Sequence, residues 1–167
     1  MKKIIGISLL AVLFNCGCTH LTRCSTEDAL RFHNSQFDFT FSLPADWRGY
    51  SVLIQQWQGF TYSPAKDDLV EVAHGPMIVL RHPRWSAEDR YLDIPILVFT
   101  PDQWRADQDG KFGIGTGGFD EELWRNSKYV FAMSTRWNAD DAANGWQEAC
   151  DIVGRNRAAL NQTQARR

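Results

Sequence analysis

The sequence predicts an α+β fold in which a mostly antiparallel β-sheet is covered by helices. Two observations carry that expectation. Phe37-Asp38-Phe39-Thr40-Phe41-Ser42-Leu43 alternates strictly between apolar and polar residues, the period of a half-buried strand, and Pro44 ends it. Thr100-Pro101-Asp102-Gln103 has the pattern of a helix start, with Thr at the N-cap, Pro at the first helical position and Gln three residues after the cap. Between them lie further apolar runs, joined by connections short enough for antiparallel pairing.

The elements follow in order. After Pro44, a turn brings Trp47 back over the core. Residues 50–57 read as a second strand, with 59–62 as its continuation or the next strand. Residues 63–68 form a polar loop, and 70–72 pair briefly. Residues 76–82 are a further strand closed by Pro83, and its run 77–80 is apolar enough for burial on both faces. Ser86-Ala87-Glu88-Asp89 reads as a helix start with Ser86 as N-cap. Residues 94–100 are a strand, and the helix after Thr100 runs to about Gln108 and stops at Asp109-Gly110. Residues 112–118 are glycine-rich, and 128–134 are a strand of β-formers. The last helix starts at Asn138 or Asn144. It puts Trp146, Cys150 and Val153 on one face and ends at Gly154. Residues 155–167 read as a frayed, polar, basic tail.

The chain has 167 residues, 44% hydrophobic and 23% charged, with a formal charge of −2. That is one globular domain, without the basic excess of a nucleic-acid binder. Met1-Lys2-Lys3 followed by a short apolar run to Phe14 reads as a secretory signal, too short to span a bilayer. Asn15-Cys16-Gly17-Cys18 then resembles the lipobox of bacterial lipoproteins. Cys18, preceded by Gly17, is the expected lipidated residue, with Cys16 as the alternative. Cutting before Cys18 removes Lys2 and Lys3 and takes the charge from −2 to −4. The organisation expected is therefore a signal at 1–17, a lipidated tether at 18–36 with a short helix at 27–33, one domain at 37–154 and the tail at 155–167. The protein is expected to be exported and held by its lipid on the cell or outer membrane, facing the periplasm or exterior. An exported compartment permits a bridge between Cys24 and Cys150.

The stretch Phe39-Thr40-Phe41-Ser42-Leu43-Pro44-Ala45-Asp46-Trp47 is similar to the opening of PsbP-like domains, named after the extrinsic subunit of photosystem II. Gly49-Tyr50-Ser51, Arg81-His82-Pro83-Arg84-Trp85, Ile94-Pro95-Ile96-Leu97-Val98-Phe99-Thr100 and Asn126-Ser127-Lys128-Tyr129-Val130-Phe131-Ala132 extend the likeness to an uncharacterised family of bacterial lipoproteins. The resemblance implies an antiparallel sheet between helices. Its motifs are structural, so it implies no reaction.

Catalytic and metal motifs are lacking. His20, His33, His74 and His82 show no ligand spacing, and the cysteines do not form a zinc pattern. Gly113-Ile114-Gly115-Thr116-Gly117-Gly118 has no closing Gly-Lys-Ser/Thr, so it reads as a bulged loop that can wall a groove. No G-x-S-x-G motif is present. Trp47, Trp57 and Trp146 sit in patterns that point inward, and each of the other four Trp neighbours an Arg: Trp85 with Arg84, Trp104 with Arg105, Trp124 with Arg125 and Trp137 with Arg136. Such pairs suit an interface or a stacked ligand, and equally rim packing. The expectation is a non-enzymatic binding or assembly module without cofactor, whose partner is another envelope protein and whose form can be that of an immunity or inhibitor lipoprotein. The alternative is a small-ligand binder using Trp85, Trp104 and the glycine loop, and after it a cell-wall hydrolase.

Overall fold

The computed structural model describes residues 29–115, 120–136 and 143–164. The fold is α+β. Its strands are β1 (Leu30–Asn34), β2 (Phe39–Leu43), β3 (Ser51–Ser63), β4 (Asp68–Arg81), β5 (Ile94–Phe99), β6 (Gly113–Ile114), β7 (Asp120–Arg125) and β8 (Val130–Ser134). The helices are α1 (Pro101–Gln108) and α2 (Trp146–Gln164). β1 and β2 form a hairpin, and the other strands form one antiparallel sheet in the order β6-β3-β4-β5-β8-β7. No described helix is long and apolar enough to cross a membrane.

Strand alternation sorts the core into two layers. On one face Ile78, Leu80, Ile94, Ile96, Val98, Phe131 and Met133 pack under the hairpin and α2, with Phe39, Phe41, Trp47 and Ile152 closing the layer. On the other, Leu97, Phe99, Val130 and Ala132 pack with Trp57 and Phe112 beneath α1, where Trp104 meets Phe99 edge-on at 5.4 Å. The expected capping box is present: Thr100 Oγ1 accepts from the Gln103 N–H, and Gln103 Oε1 accepts from the Thr100 N–H.

Four expectations are corrected. The segment assigned to a tether contains β1 instead of a helix. Leu30 and Phe32 alternate with Arg31 and His33, and Phe32 lies opposite Phe41 and edge-on to Phe39 at 5.7 Å. Residues 70–72 and 76–82 are not separate elements but one strand, β4, paired with β3 throughout and interrupted only by a bulge at Gly59/Phe60. Ser86 does cap, since its Oγ accepts from the Asp89 N–H at 3.0 Å, but no helix follows. The chain is instead drawn straight by Asn144, whose N–H donates to Arg90 O at 2.8 Å and whose carbonyl accepts from Leu92 N–H at 2.9 Å. Finally, α2 does not end at Gly154. It runs to Gln164, because Asn156 and Leu160 dock on the core and Arg157 pairs with Glu121 at 2.6 Å. The domain is thus longer at both ends than expected.

Candidate functional site

The first half of β3 is an open sheet edge. Among the described residues, β6 pairs with β3 only at Gly59 and Phe60. Ser51-Val52-Leu53-Ile54-Gln55-Gln56-Trp57-Gln58 carries no charge, proline or glycine. Pro76 lies opposite Gln56 and has no N–H, so that pair is of the non-hydrogen-bonded kind. Pairs alternate, so Val52, Ile54, Gln56 and Gln58 all direct their backbone N–H and C=O groups away from β4. Pro95 opposite Val79 agrees, because it leaves the Val79 backbone to bond Leu53. Two apolar side chains beside this edge are uncovered among the described residues. Val52 and Ile54 stand opposite Leu80 and Ile78, which are fully buried, yet are themselves 37% and 68% exposed. Farther along the same two strands, Tyr62 and Leu69 face each other, both more than half exposed.

On the opposite sheet face, at the same end, the 82–92 loop closes over a cavity of about 390 Å³ lined by Gln55, Met77, Val79, Arg81, Trp85 and Tyr91. The Arg81 guanidinium is fixed on two sides. Its Nε and Nη2 donate to Asp93 at 2.7–3.2 Å, and its plane lies 3.9 Å over the Trp85 ring. The Asp93 bond and its charge hold the Arg81 pKa above the ordinary arginine value. Arg84 lies 4.9 Å over Tyr91. On that tyrosine stacks His82, 4.3 Å away, itself 3% exposed and edge-on to Trp47. His82 Nδ1 accepts from the Arg84 N–H, which leaves the proton on Nε2. Among the described residues that atom finds only Glu148 Oε2 at 3.9 Å, while Glu148 Oε1 accepts from the Trp47 indole at 2.7 Å. Burial pushes the His82 pKa down, and the Glu148 carboxylate opposes the shift. The cavity wall is therefore braced from behind by a neutral imidazole.

A second buried titratable group lies near α1. Asp120 is 8% exposed, and its Oδ1 has no hydrogen-bond partner among the described residues. Burial first, and the charge of Asp107 second, push its pKa up to about 7. Among the described residues no three metal-ligating side chains converge.

The Trp/Arg pairs do not assemble into one surface. Trp85 alone lines the cavity, and the guanidinium stacked on it is that of Arg81, not Arg84. Trp104 packs beneath α1, away from Trp85, while Arg105 turns outward to Asp102. Trp124 is corrected from surface to core: it is 3% exposed and stacked on Phe131, and Arg125 bonds Glu122. Arg136 is exposed, and Trp137 lies outside the described residues. So do Cys16, Cys18, Cys24 and the second half of the glycine loop; Cys150 sits half-buried on α2. The open edge was missed from sequence because alternation tells which face a residue takes, not which strands have neighbours. His82 was missed because one buried histidine carries no spacing signal.

No family model, curated protein or solved structure matches the chain.

Proposed function

We propose that this chain is a lipid-anchored envelope protein that performs no reaction and works by holding another protein, with the first half of β3 as the docking strand. The single observation that carries the reading is the unprotected edge at 51–58. Sheet proteins ordinarily blunt such an edge with lysine, proline, a bulge or a covering element. Among the described residues the eight at 51–58 carry none of these, and two exposed apolar side chains stand beside the outward backbone groups. An added strand gains main-chain hydrogen bonds along the edge and apolar contact with Val52 and Ile54. The signal and the lipobox at Cys18 supply the address, and a partner in the same envelope is in reach of a tethered domain. An immunity or inhibitor role is one form of such holding. The likeness to PsbP-like domains belongs to the same proposal, since that fold is used for binding and assembly.

The test is a photo-cross-linking residue placed at Ile54 in the lipidated protein within its own cells, with a control at the exposed Arg155 of α2. The reading expects one envelope protein captured from position 54 and not from 155. Equal capture from both positions, or none from 54, contradicts it.

A further inference from the structure

His82 follows β4 directly and stands where the 82–92 loop, α2 and the turn at 45–47 meet. We infer that it is a proton-operated latch: a proton taken from solvent onto its ring frees the loop at Arg84 and opens the cavity at Trp85, while the sheet stays folded. The inference does not depend on the docking strand.

The hydrogen bonds give the direction. His82 Nδ1 accepts from the Arg84 N–H at 3.1 Å. An imidazolium carries a hydrogen on each nitrogen and accepts nothing. A proton on Nδ1 therefore sets two donors against each other, and that bond is lost. The new charge is also poorly placed in the closed loop. Glu148 on α2 is 3.9 Å from Nε2, beyond hydrogen-bond distance, and its other oxygen is held by the Trp47 indole at 2.7 Å. Asp46 in the turn favours the proton as well, but burial opposes it most and the charge of Arg84 opposes it too. The imidazole stacks on Tyr91 at 4.3 Å and the Arg84 guanidinium lies over the same ring at 4.9 Å, so two cations would share one tyrosine. Lifting Arg84 relieves all of this. Its residue is already exposed, so its N–H finds water, the two charges separate, and the imidazolium is hydrated.

The loop can lift there because its far end is tied separately. Asn144 holds Arg90 and Leu92 by their backbone and Asp89 by its side chain. Ser86 bonds within the loop, to Asp89. Trp85 moves with Arg84 and leaves the Arg81 guanidinium it covers at 3.9 Å, which removes one wall of the cavity, and Tyr91 loses its cover. A hydrated ring titrates near 6.5, so between about pH 7.5 and about pH 5 the opening constant rises by up to about thirtyfold.

Hydroxyl-radical footprinting of the full chain at those two pH values tests the latch, because it labels side chains by their exposure in the folded population. The latch predicts that labelling of Trp85 and Tyr91 rises at least about twofold on acidification, while that of the core residues Trp57 and Trp124 does not change. His82→Asn keeps an oxygen near the place of Nδ1 and takes up no proton, so its labelling stays flat. Glu148→Gln keeps an acceptor for Trp47 but removes the charge that eases a proton onto the closed ring, so the rise grows. Equal labelling at both pH values overturns the latch. So does a parallel rise at Trp57 and Trp124, which means general unfolding, or a rise that persists in His82→Asn. If His82→Asn does not fold, Glu148→Gln decides, and a rise that is unchanged or smaller there overturns the latch.

Discussion

Asn156 on α2 grips the backbone of Ser42 on β2 from both sides: its Oδ1 accepts from the Ser42 N–H at 2.7 Å and its Nδ2 donates to the Ser42 carbonyl at 2.8 Å. The same Nδ2 donates to Ile152 O at 2.9 Å, and the residue is 5% exposed. This side-chain clasp satisfies an edge of the hairpin as a neighbouring strand would, and it holds the helix to the domain past Gly154. Asn156→Ala leaves the Ser42 groups unpaired and is expected to cost about 2–4 kcal/mol. Chemical denaturation measures this, and amide exchange should accelerate beyond residue 156. A variant as stable as the parent contradicts the clasp.

Gly75 lies directly opposite Trp57, and a Cβ on it would come within 2.6 Å of the indole. The ring covers the glycine, stacks on Phe99 at 4.6 Å and donates from Nε1 to Val98 O at 3.0 Å. Gly75→Ala displaces it from that seat. The expected loss is about 1–3 kcal/mol, as for other overpacked cores. Unchanged stability would mean that the indole has room to shift.

The two buried titratable groups set opposite pH slopes. The Asp120 carboxyl, pushed up to about 7 in the fold against 3.8 in its ordinary state, keeps a proton that the unfolded chain releases. Its contribution to stability therefore falls as pH rises from about 4 to about 7. Asp120→Asn should remove that slope and gain roughly 1–3 kcal/mol at alkaline pH, with allowance for solvent relaxation. Persistence of the slope contradicts the assignment. His82 behaves the other way. Its pKa is lowered below 6.5, so the fold loses stability as pH drops through that value. Titration of the imidazole by NMR should give a midpoint below 6.5, and a midpoint at or above it contradicts the buried neutral state.

The proposed membrane address rests on Cys18. Cys18→Ser is expected to abolish membrane fractionation and palmitate labelling, whereas Cys16→Ser leaves both intact. The reverse result moves the anchor to Cys16. On the proposed reading, two acyl chains would account for stable retention where one is marginal.

Local rules were readable where local energetics decide. The alternation at 37–43 gave β2 with its buried Phe39, Phe41 and Leu43, and the turn after Pro44 did bury Trp47, 1% exposed. The Thr100–Gln103 box gave α1. Tertiary contacts overrode the same rules elsewhere. Gly154 reads as a stop, but a Cβ there would meet nothing, and the contacts of Asn156 carry the helix onward. Ser86 caps a helix that Asn144 prevents. β7, Asp-Glu-Glu-Leu-Trp-Arg, has too few apolar residues to read as a strand, yet it pairs with β8 around a bulge that buries both Leu123 and Trp124. The candidate site was the least legible part. Its cavity gathers Gln55, Met77, Arg81 and Trp85 from β3, β4 and the loop after them, and its edge is defined by which strand has no neighbour.

The central claim is that β3 presents an open edge, and amide exchange of the isolated full-length chain reads it residue by residue. The account predicts alternation: the amides of Leu53, Gln55 and Trp57, turned toward β4, are protected, while those of Val52, Ile54, Gln56 and Gln58 exchange fast. It further predicts that the captured partner slows these four and that Gln56→Pro, which removes one outward N–H and none from the β4 ladder, abolishes capture without unfolding the domain. Equal protection of all seven amides in the isolated, dilute chain would mean that the edge is already covered, and would contradict the account.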